Sequence, residues 1–261
     1  MVPISDTVHR RAAGATVYRR SGPTVAPEAM PSTVLYSART RSSFASAAIQ
    51  SASSMALPTC RTISGIVLAG GRSRRLGHDK RALRLWGQAG PTLLEHTVQL
   101  LVPICAELIV VLNDPTAWAS LPAQLVGDQP GAAGPLGGLY AGLAAASYDT
   151  ALVVAADMPL LNVELLRALI AEPSDYDALV PRSSFGLEPL HALYRRTCLA
   201  PLQAYLASGG RALNGFLTTV HVATPAPALI AHYDPQGRAF LNLNTPEDLA
   251  LAQQLISADS P

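Results

Sequence analysis

Four cations and three glycines crowd one short stretch of this chain. Arg72, Arg74, Arg75 and Lys80 share a loop with Gly70, Gly71 and Gly77, directly after the apolar run Ile63-Ser64-Gly65-Ile66-Val67-Leu68. That run is too brief for a helix and rich in β-branched residues, so it reads as a buried strand. Glycines at a strand end let the backbone approach a ligand and present its N–H groups, and the cations add charge for a group carrying several phosphates. A nucleoside triphosphate fits this chemistry best. Spacing excludes two common phosphate loops. Gly77 is followed by His78 and Asp79 before Lys80, where a P-loop needs Lys and then Ser or Thr at once. No G-x-G-x-x-G can be laid on Gly70, Gly71 and Gly77.

Lys80 is the only lysine among 19 basic residues, the other 18 being arginine. A chain that uses Arg everywhere else and keeps Lys here suits a site wanting a compact ammonium in place of a planar fork. The plain alternative for the loop is a Gly-rich turn with solvated arginines.

The elements that must position this loop follow from Ile63 onward, where strand and helix patterns alternate and predict a mainly parallel sheet covered on both faces. Helices are expected over Pro91–Leu101, Pro135–Ala146 and Val163–Ala171, and strands over Glu107–Leu112, Gln124–Val126, Thr150–Ala155 and Asp177–Pro181. Four strands thus end at Gly70 and Gly71, at Asn113, at Asp128 and at Asp157. In open α/β sheets ligands bind beyond the carboxyl ends of the strands, so these residues should meet in one crevice. Asn113 and Asp128 suit turns and caps equally well. Asp157, straight after Ala151-Leu152-Val153-Val154-Ala155, is harder to explain as a surface turn, and a hard cation such as Mg²⁺ bridging phosphates needs such a carboxylate. Gly131–Gly138 forms a second glycine loop that opens a helix, suited to a base or ribose or simply to a tight turn. Glu188–Tyr194 reads as an extended segment beside the site. Leu241–Leu249 reads as a strand end leading into a Thr-capped helix with Pro at its first position, and Asn242 and Asn244 suit a ligand contact or a structural role equally.

Composition bounds the rest. The chain has 261 residues, 49% hydrophobic and 14% charged, enough for one large α/β domain or two small ones. Six Arg against Asp6 and Glu28 leave residues 1–60 at +4, while 13 basic and 16 acidic side chains leave 61–261 at −3. A mildly acidic body with one basic loop argues for a small polyanion and against a nucleic-acid surface. Cys60, Cys105 and Cys198 are far apart and read as reduced structural thiols, hence a cytoplasmic protein. Pro103 and Glu107 interrupt the longest apolar candidate, so no membrane span is expected, and the scattered histidines predict no zinc site. Residues 1–60, rich in Ser, Thr, Ala, Pro and Arg, are expected to be a disordered extension. They imitate a transit peptide or translated upstream sequence, with Met55 a natural start just before the first strand.

Taken together, Leu68-Ala69-Gly70-Gly71, Arg75, Gly77, Asp79-Lys80, Gly134-Pro135-Leu136, Asp157-Met158-Pro159-Leu160 and Asn242-Leu243-Asn244-Thr245-Pro246-Glu247-Asp248-Leu249 resemble the molybdenum cofactor guanylyltransferases, in order, across residues 62–257. The resemblance implies a three-layer, mostly parallel Rossmann-like α/β sheet of the nucleotidyltransferase type. It implies GTP and molybdenum-molybdopterin as substrates, Mg²⁺ as cofactor, and transient contact with molybdoenzymes or other cofactor-assembly proteins. Leu68, Ala69, Gly70, Gly71, Lys80, Asn113, Asp128 and Asp157 would bind the nucleotide. Lys80, Asp157 and Arg75 would be catalytic, with Asp157 the metal ligand. Residues 1–60 have no counterpart in that family. Related cytidylyltransferases usually carry Ala at the position of Gly70, so Gly70 favours guanine. A cytidylyl or other small-molecule nucleotidyltransferase, and a non-catalytic nucleotide-binding regulator, are the alternative readings.

Overall fold

The computed structural model describes residues 17–18, 62–70, 79–128, 134–173 and 175–258. It divides into two units, residues 1–19 with 60–261 and residues 20–59, the second lying wholly outside the described residues. The ten strands among the described residues are β1 (Val17–Tyr18), β2 (Ser64–Leu68), β3 (Glu107–Val111), β4 (Gln124–Val126), β5 (Thr150–Ala155), β6 (Ala178–Leu179), β7 (Arg182–Ser183), β8 (Gly186–Leu187), β9 (His191–Arg195) and β10 (Val222–Ala223). The helices are α1 (Leu93–Leu101), α2 (Pro135–Ala145), α3 (Val163–Ala171), α4 (Leu199–Ala207), α5 (Leu213–Leu217), α6 (Pro227–Tyr233) and α7 (Pro246–Ala258).

Eight strands form one sheet in the order β1-β4-β3-β2-β5-β9-β6-β10, and β7 and β8 make a separate hairpin. The centre is parallel, as the alternating pattern requires. Ile66 sits opposite Ile109 on one side and Val153 on the other. Two strands run the other way. β9 is antiparallel to both β5 and β6, and β1 is antiparallel to β4. Of the segment expected to be extended, Glu188–Tyr194, the part from His191 onward is therefore a ladder strand inside the sheet, while residues 188–190 form a turn before it. Val17 and Tyr18 are the described part of the stretch 1–60, and the expectation of disorder for the remainder falls outside the described residues.

Alternation along each central strand sends side chains into two cores, because successive Cβ atoms point to opposite faces. Val67, Val110, Leu112, Leu152 and Val154 meet Leu94, Val98 and Leu101 of α1 and Leu165, Leu166 and Leu169 of α3. Ile66, Leu68, Ile109, Val111 and Val153 meet Leu136, Leu139, Tyr140 and Leu143 of α2. Strands buried on both faces read as continuous apolar runs for this reason.

Several helix ends depart from the expected boundaries. α1 begins at Leu93 and not at Pro91, because Thr92 is its N-cap. The Thr92 hydroxyl accepts from Glu95 N–H, and the Glu95 carboxylate accepts from Thr92 N–H. That capping box was visible as Thr-x-x-Glu, and the proline drew the start two residues too early. At the last helix the expected Thr cap is present. Thr245 Oγ1 accepts from Asp248 N–H, and Asp248 Oδ2 accepts from the N–H groups of Asn244 and Thr245 at 2.8 Å each. The residues before it, Leu241–Asn244, are not a strand. Leu243 N–H donates instead to the Asp157 carbonyl at 2.9 Å, which ties this loop to the end of β5.

α2 approaches the sheet closely because it carries glycine where its axis crosses β2. A Cβ on Gly142 would stand 2.5 Å from Ile66 Cγ2 and 3.3 Å from Val111 Cγ2, and both of those side chains are fully buried. Gly142→Ala gains about 0.5–1 kcal/mol of helix preference but overpacks a closed core, which costs about 1–3 kcal/mol. The expected result is a melting temperature lower by a few degrees. A thermal melt in which Gly142→Ala matched or exceeded the parent would refute this packing account.

Candidate active site

At the carboxyl edge of the parallel strands lies a cavity of about 610 Å³. Leu68, Ala69 and Gly70 from the end of β2, Asn113 after β3, Asp128 after β4, Lys80, and Asp157 after β5 all line it. The expected convergence of strand ends on one crevice is what the sheet delivers. Gly71 and Arg75, with Arg72 and Arg74, lie outside the described residues.

Lys80 stands at the centre of the polar groups. It opens a short 3-10 turn, Lys80–Ala82, and its Nζ donates to Asp157 Oδ2 at 3.3 Å and to Asn244 Oδ1 at 3.2 Å. The two charged side chains retain 16% and 29% exposure, so the pair is reachable from the cavity. Three segments far apart in sequence thus place one cation and one carboxylate together. Asp157 is held from behind, since its carbonyl accepts from Leu243 N–H and Ala156 N–H donates to Leu68 carbonyl at 3.0 Å.

Asn113 and Asp128 hold each other. Asn113 Nδ2 donates to Asp128 Oδ2 at 2.8 Å, and Asp128 N–H donates to Asn113 Oδ1 at 3.2 Å. This reciprocal pair orients both side chains, and Asp128 Oδ1 has no hydrogen-bond partner among the described residues. Gly70 lies against it. A Cβ there would stand 3.3 Å from Asp128 Oδ2, so an alanine at this position would press on the carboxylate. Gly138, in the first turn of α2, has the same relation to Asp128 Oδ1 at 3.4 Å. Gly134, with φ +94, is the residue before Pro135 that turns the chain into α2, a conformation L side chains rarely adopt. Gly134, Pro135 and Gly138 line the cavity, so the positive end of the α2 dipole lies beside it, an arrangement that favours an anionic or electron-rich ligand group.

Arg81 is the residue that sequence reasoning missed. It follows Lys80 directly but does another job. Its guanidinium donates to Asp79 and, through both terminal nitrogens, to Asp114 at 2.7 and 2.9 Å, and also to the Ala69 carbonyl at 3.3 Å. The Asp79 hydrogen bonds, followed by those of Asp114, raise the Arg81 pKa further, and Arg81 in turn holds both carboxyls below their usual range. Bidentate pairing suits Arg and not Lys. Arg81 therefore clasps the start of the 3-10 turn to the ends of β2 and β3 and sets the position of Lys80. The Asn-Asp run at 113–114 beside a basic loop was the available signal.

Among the described residues no three His, Cys, Asp or Glu side chains cluster as a metal site. A single accessible carboxylate is nevertheless a fitting donor for Mg²⁺, which is commonly bound through one or two carboxylates plus substrate phosphates. Burial raises the Cys198 thiol to about 12, leaving it unreactive. No described helix is long and apolar enough to cross a membrane.

A parallel sheet with a glycine-lined crevice, a reciprocal Asn–Asp pair and a Lys–Asp pair at the strand ends defines a nucleotidyltransferase-type domain. Comparison with known proteins narrows this. The model of the MobA-like NTP transferase domain matches residues 65–236. A probable molybdenum cofactor guanylyltransferase of Chloroflexus aggregans is 52% identical over 200 residues, covering 76% of this chain and 96% of that protein. The molybdenum cofactor guanylyltransferase of Desulfosudis oleivorans is 32% identical over 197 residues, covering 75% and 96%. The crystal structure of molybdopterin-guanine dinucleotide biosynthesis protein A from Archaeoglobus fulgidus superimposes with a TM-score of 0.65 at 27% identity, covering 75% of this chain and all of that one. The chain belongs to the MobA-like nucleotidyltransferase family.

Proposed function

We propose that this protein transfers the GMP unit of GTP to the terminal phosphate of molybdenum-molybdopterin, giving the guanine dinucleotide form of the cofactor and pyrophosphate. The observation that carries this reading is the Lys80–Asp157 pair, set by Asn244 at the mouth of a glycine-lined cavity on the carboxyl edge of the sheet. A phosphate oxygen of the pterin substrate attacks the α-phosphorus of GTP, and the bond from that phosphorus to the bridging oxygen of pyrophosphate breaks. The attacking phosphate is already an anion, so no general base is required. Catalysis then rests on positioning and on charge neutralisation.

Each group has a place in this step. The backbone at Leu68, Ala69 and Gly70 approaches the nucleotide closely. Asn113 and Asp128 meet the base, where the acceptor Asp128 Oδ1 suits the ring N–H and amino donors of guanine. Lys80 meets the phosphates, helped by Arg75 and by Gly71 backbone from the adjoining loop. Asp157 is the residue that would hold Mg²⁺, which when bound neutralises phosphate charge and orients the leaving group. The setting is cytoplasmic, with no nucleic-acid partner, and delivery of the product requires contact with a molybdoenzyme or another assembly protein.

The direct test is pyrophosphate release from GTP with molybdenum-molybdopterin and Mg²⁺. Base choice is tested by melting. A ligand that binds only the folded state stabilises it by mass action, so GTP with Mg²⁺ should raise the melting temperature more than CTP or ATP at equal concentration. An equal or larger shift with CTP would move the assignment to the cytidylyl branch.

A further inference from the structure

Arg81 lies in the wall of the cavity, paired with Asp79 and Asp114, which line it too. A guanidinium carries five N–H donors, and here every one has a partner. Nε donates to Asp79 Oδ1 at 2.9 Å, and Nη2 donates to Asp79 Oδ2 at 2.7 Å and to Asp114 Oδ2 at 2.9 Å. Nη1 donates to Asp114 Oδ1 at 2.7 Å and to the Ala69 carbonyl at 3.3 Å. The guanidinium carbon stands over the Trp118 ring, 5.8 Å from its centroid, and the side chain is only 15% exposed. No donor is left for a phosphate. Arg81 therefore differs from its neighbour Lys80, whose ammonium faces the reacting groups.

Its two carboxylate partners anchor it differently. Asp79 caps the same 3-10 turn, its Oδ1 accepting from Arg81 N–H at 3.0 Å, so that pair is local. Asp114 comes from another part of the sheet edge. It follows Asn113 after β3 and stands at the start of the 3-10 turn Pro115–Trp118. Asn113 in turn belongs to the reciprocal pair with Asp128, while Lys80 reaches to Asp157. The bridge thus joins two dipeptides, Lys80-Arg81 and Asn113-Asp114. Each gives one side chain to the ligand groups of the cavity and one to the bridge.

We propose that Arg81 and Asp114 are positioning residues whose bridge fixes the Lys80 turn to the end of β3, so that Lys80 is held at the phosphates while Asn113 and Asp128 hold the base. The inference rests on the proposed function and adds what keeps the two halves of the cavity aligned. Lys80 carries its charge on a flexible stem, so the backbone beneath it decides where the ammonium can stand. A misplacement of about 1 Å can cost about 10²-fold in rate. The Asp79 pair cannot prevent such a shift, because it moves with the turn. The Asp114 pair can, because its two parallel bonds define both distance and orientation between two separate loops. A lysine in place of Arg81 would keep the charge and lose the fork.

The experiment is a pair of double-mutant cycles on pyrophosphate release from GTP with molybdenum-molybdopterin and Mg²⁺, with kcat and KM measured separately. Arg81→Ala should lower kcat at least about tenfold and Asp114→Ala about fivefold. The KM for GTP should change less than about twofold, because Asn113 and Asp128 keep their own bonds. Arg81→Lys should recover only a small part of the loss. In a Lys80→Ala background the Arg81→Ala and Asp114→Ala substitutions should cost less than about twofold, since a residue that acts through Lys80 has nothing left to act on. A purely structural residue would cost the same factor in both backgrounds. Asp114, whose side chain is 62% exposed, keeps the test open should Arg81→Ala fail to fold. Equal losses with and without Lys80, an Arg81→Lys protein as active as the parent, or parent-like kcat in the folded alanine variants overturns the inference while the function stands. Absence of pyrophosphate release from the parent protein itself overturns the proposed function, and this inference with it.

Discussion

Asp157→Asn is expected to lower pyrophosphate release by about 10³-fold while the protein stays folded. The substitution keeps size and leaves an oxygen to accept from Lys80 Nζ, which now stands 3.3 Å from the carboxylate. What it removes is the charge that draws Mg²⁺ to the strand end, and metal-assisted charge neutralisation in phosphoryl chemistry is worth several kcal/mol, each ~1.4 kcal/mol being tenfold in rate. The structural cost is small by comparison. A partly exposed ion pair contributes roughly 0–1 kcal/mol, or a melting shift within about 4 °C for a domain of this size. Turnover with saturating Mg²⁺, with circular dichroism as the folding control, separates the two. A folded Asp157→Asn protein with near-normal turnover would show that the carboxylate only pairs with Lys80.

Lys80→Ala should reduce kcat/KM by roughly 10²-fold or more, by analogy with the loss of one preorganised donor. Lys80→Arg should recover only part of this. A planar guanidinium cannot occupy the point where the ammonium sits between Asp157 Oδ2 and Asn244 Oδ1. Removing Lys80 also leaves Asp157 without its ion-pair partner, so the Lys80→Ala, Asp157→Asn double variant should fall less than the two single losses combined, as contacting groups generally do. Should folded Lys80→Ala keep near-normal turnover, the phosphate role passes to Arg72, Arg74 or Arg75.

Much of this architecture is legible in the residues themselves. β-branched runs of five or six apolar residues can only be strands buried on both faces, and the polar residue ending each one had to fall at a common edge. That local rule located Gly70, Asn113, Asp128 and Asp157 before any coordinate, and all four line the cavity. Lys80 was marked by composition alone, as the single lysine of the chain.

Other features depend on contacts that no local pattern encodes. Asn244 and Lys80 are separated by 164 positions yet bonded, because Leu243 is pinned to the end of β5. Arg81 looks in sequence like one more loop cation, and only the fold shows it spent on Asp79 and Asp114. The direction of β9 was equally unreadable, since an apolar run has the same period whether its neighbours run parallel or antiparallel to it. Pairing of Thr150 with Arg195 and Val154 with His191 settles that direction. Trp86 and His96 lie ten residues apart, across a turn and a helix start, and share no period that would predict their stacking. Periodicity sets which residues are buried and where strands end; which buried surfaces meet, and so which polar ends face one another, is decided by packing over the whole sheet.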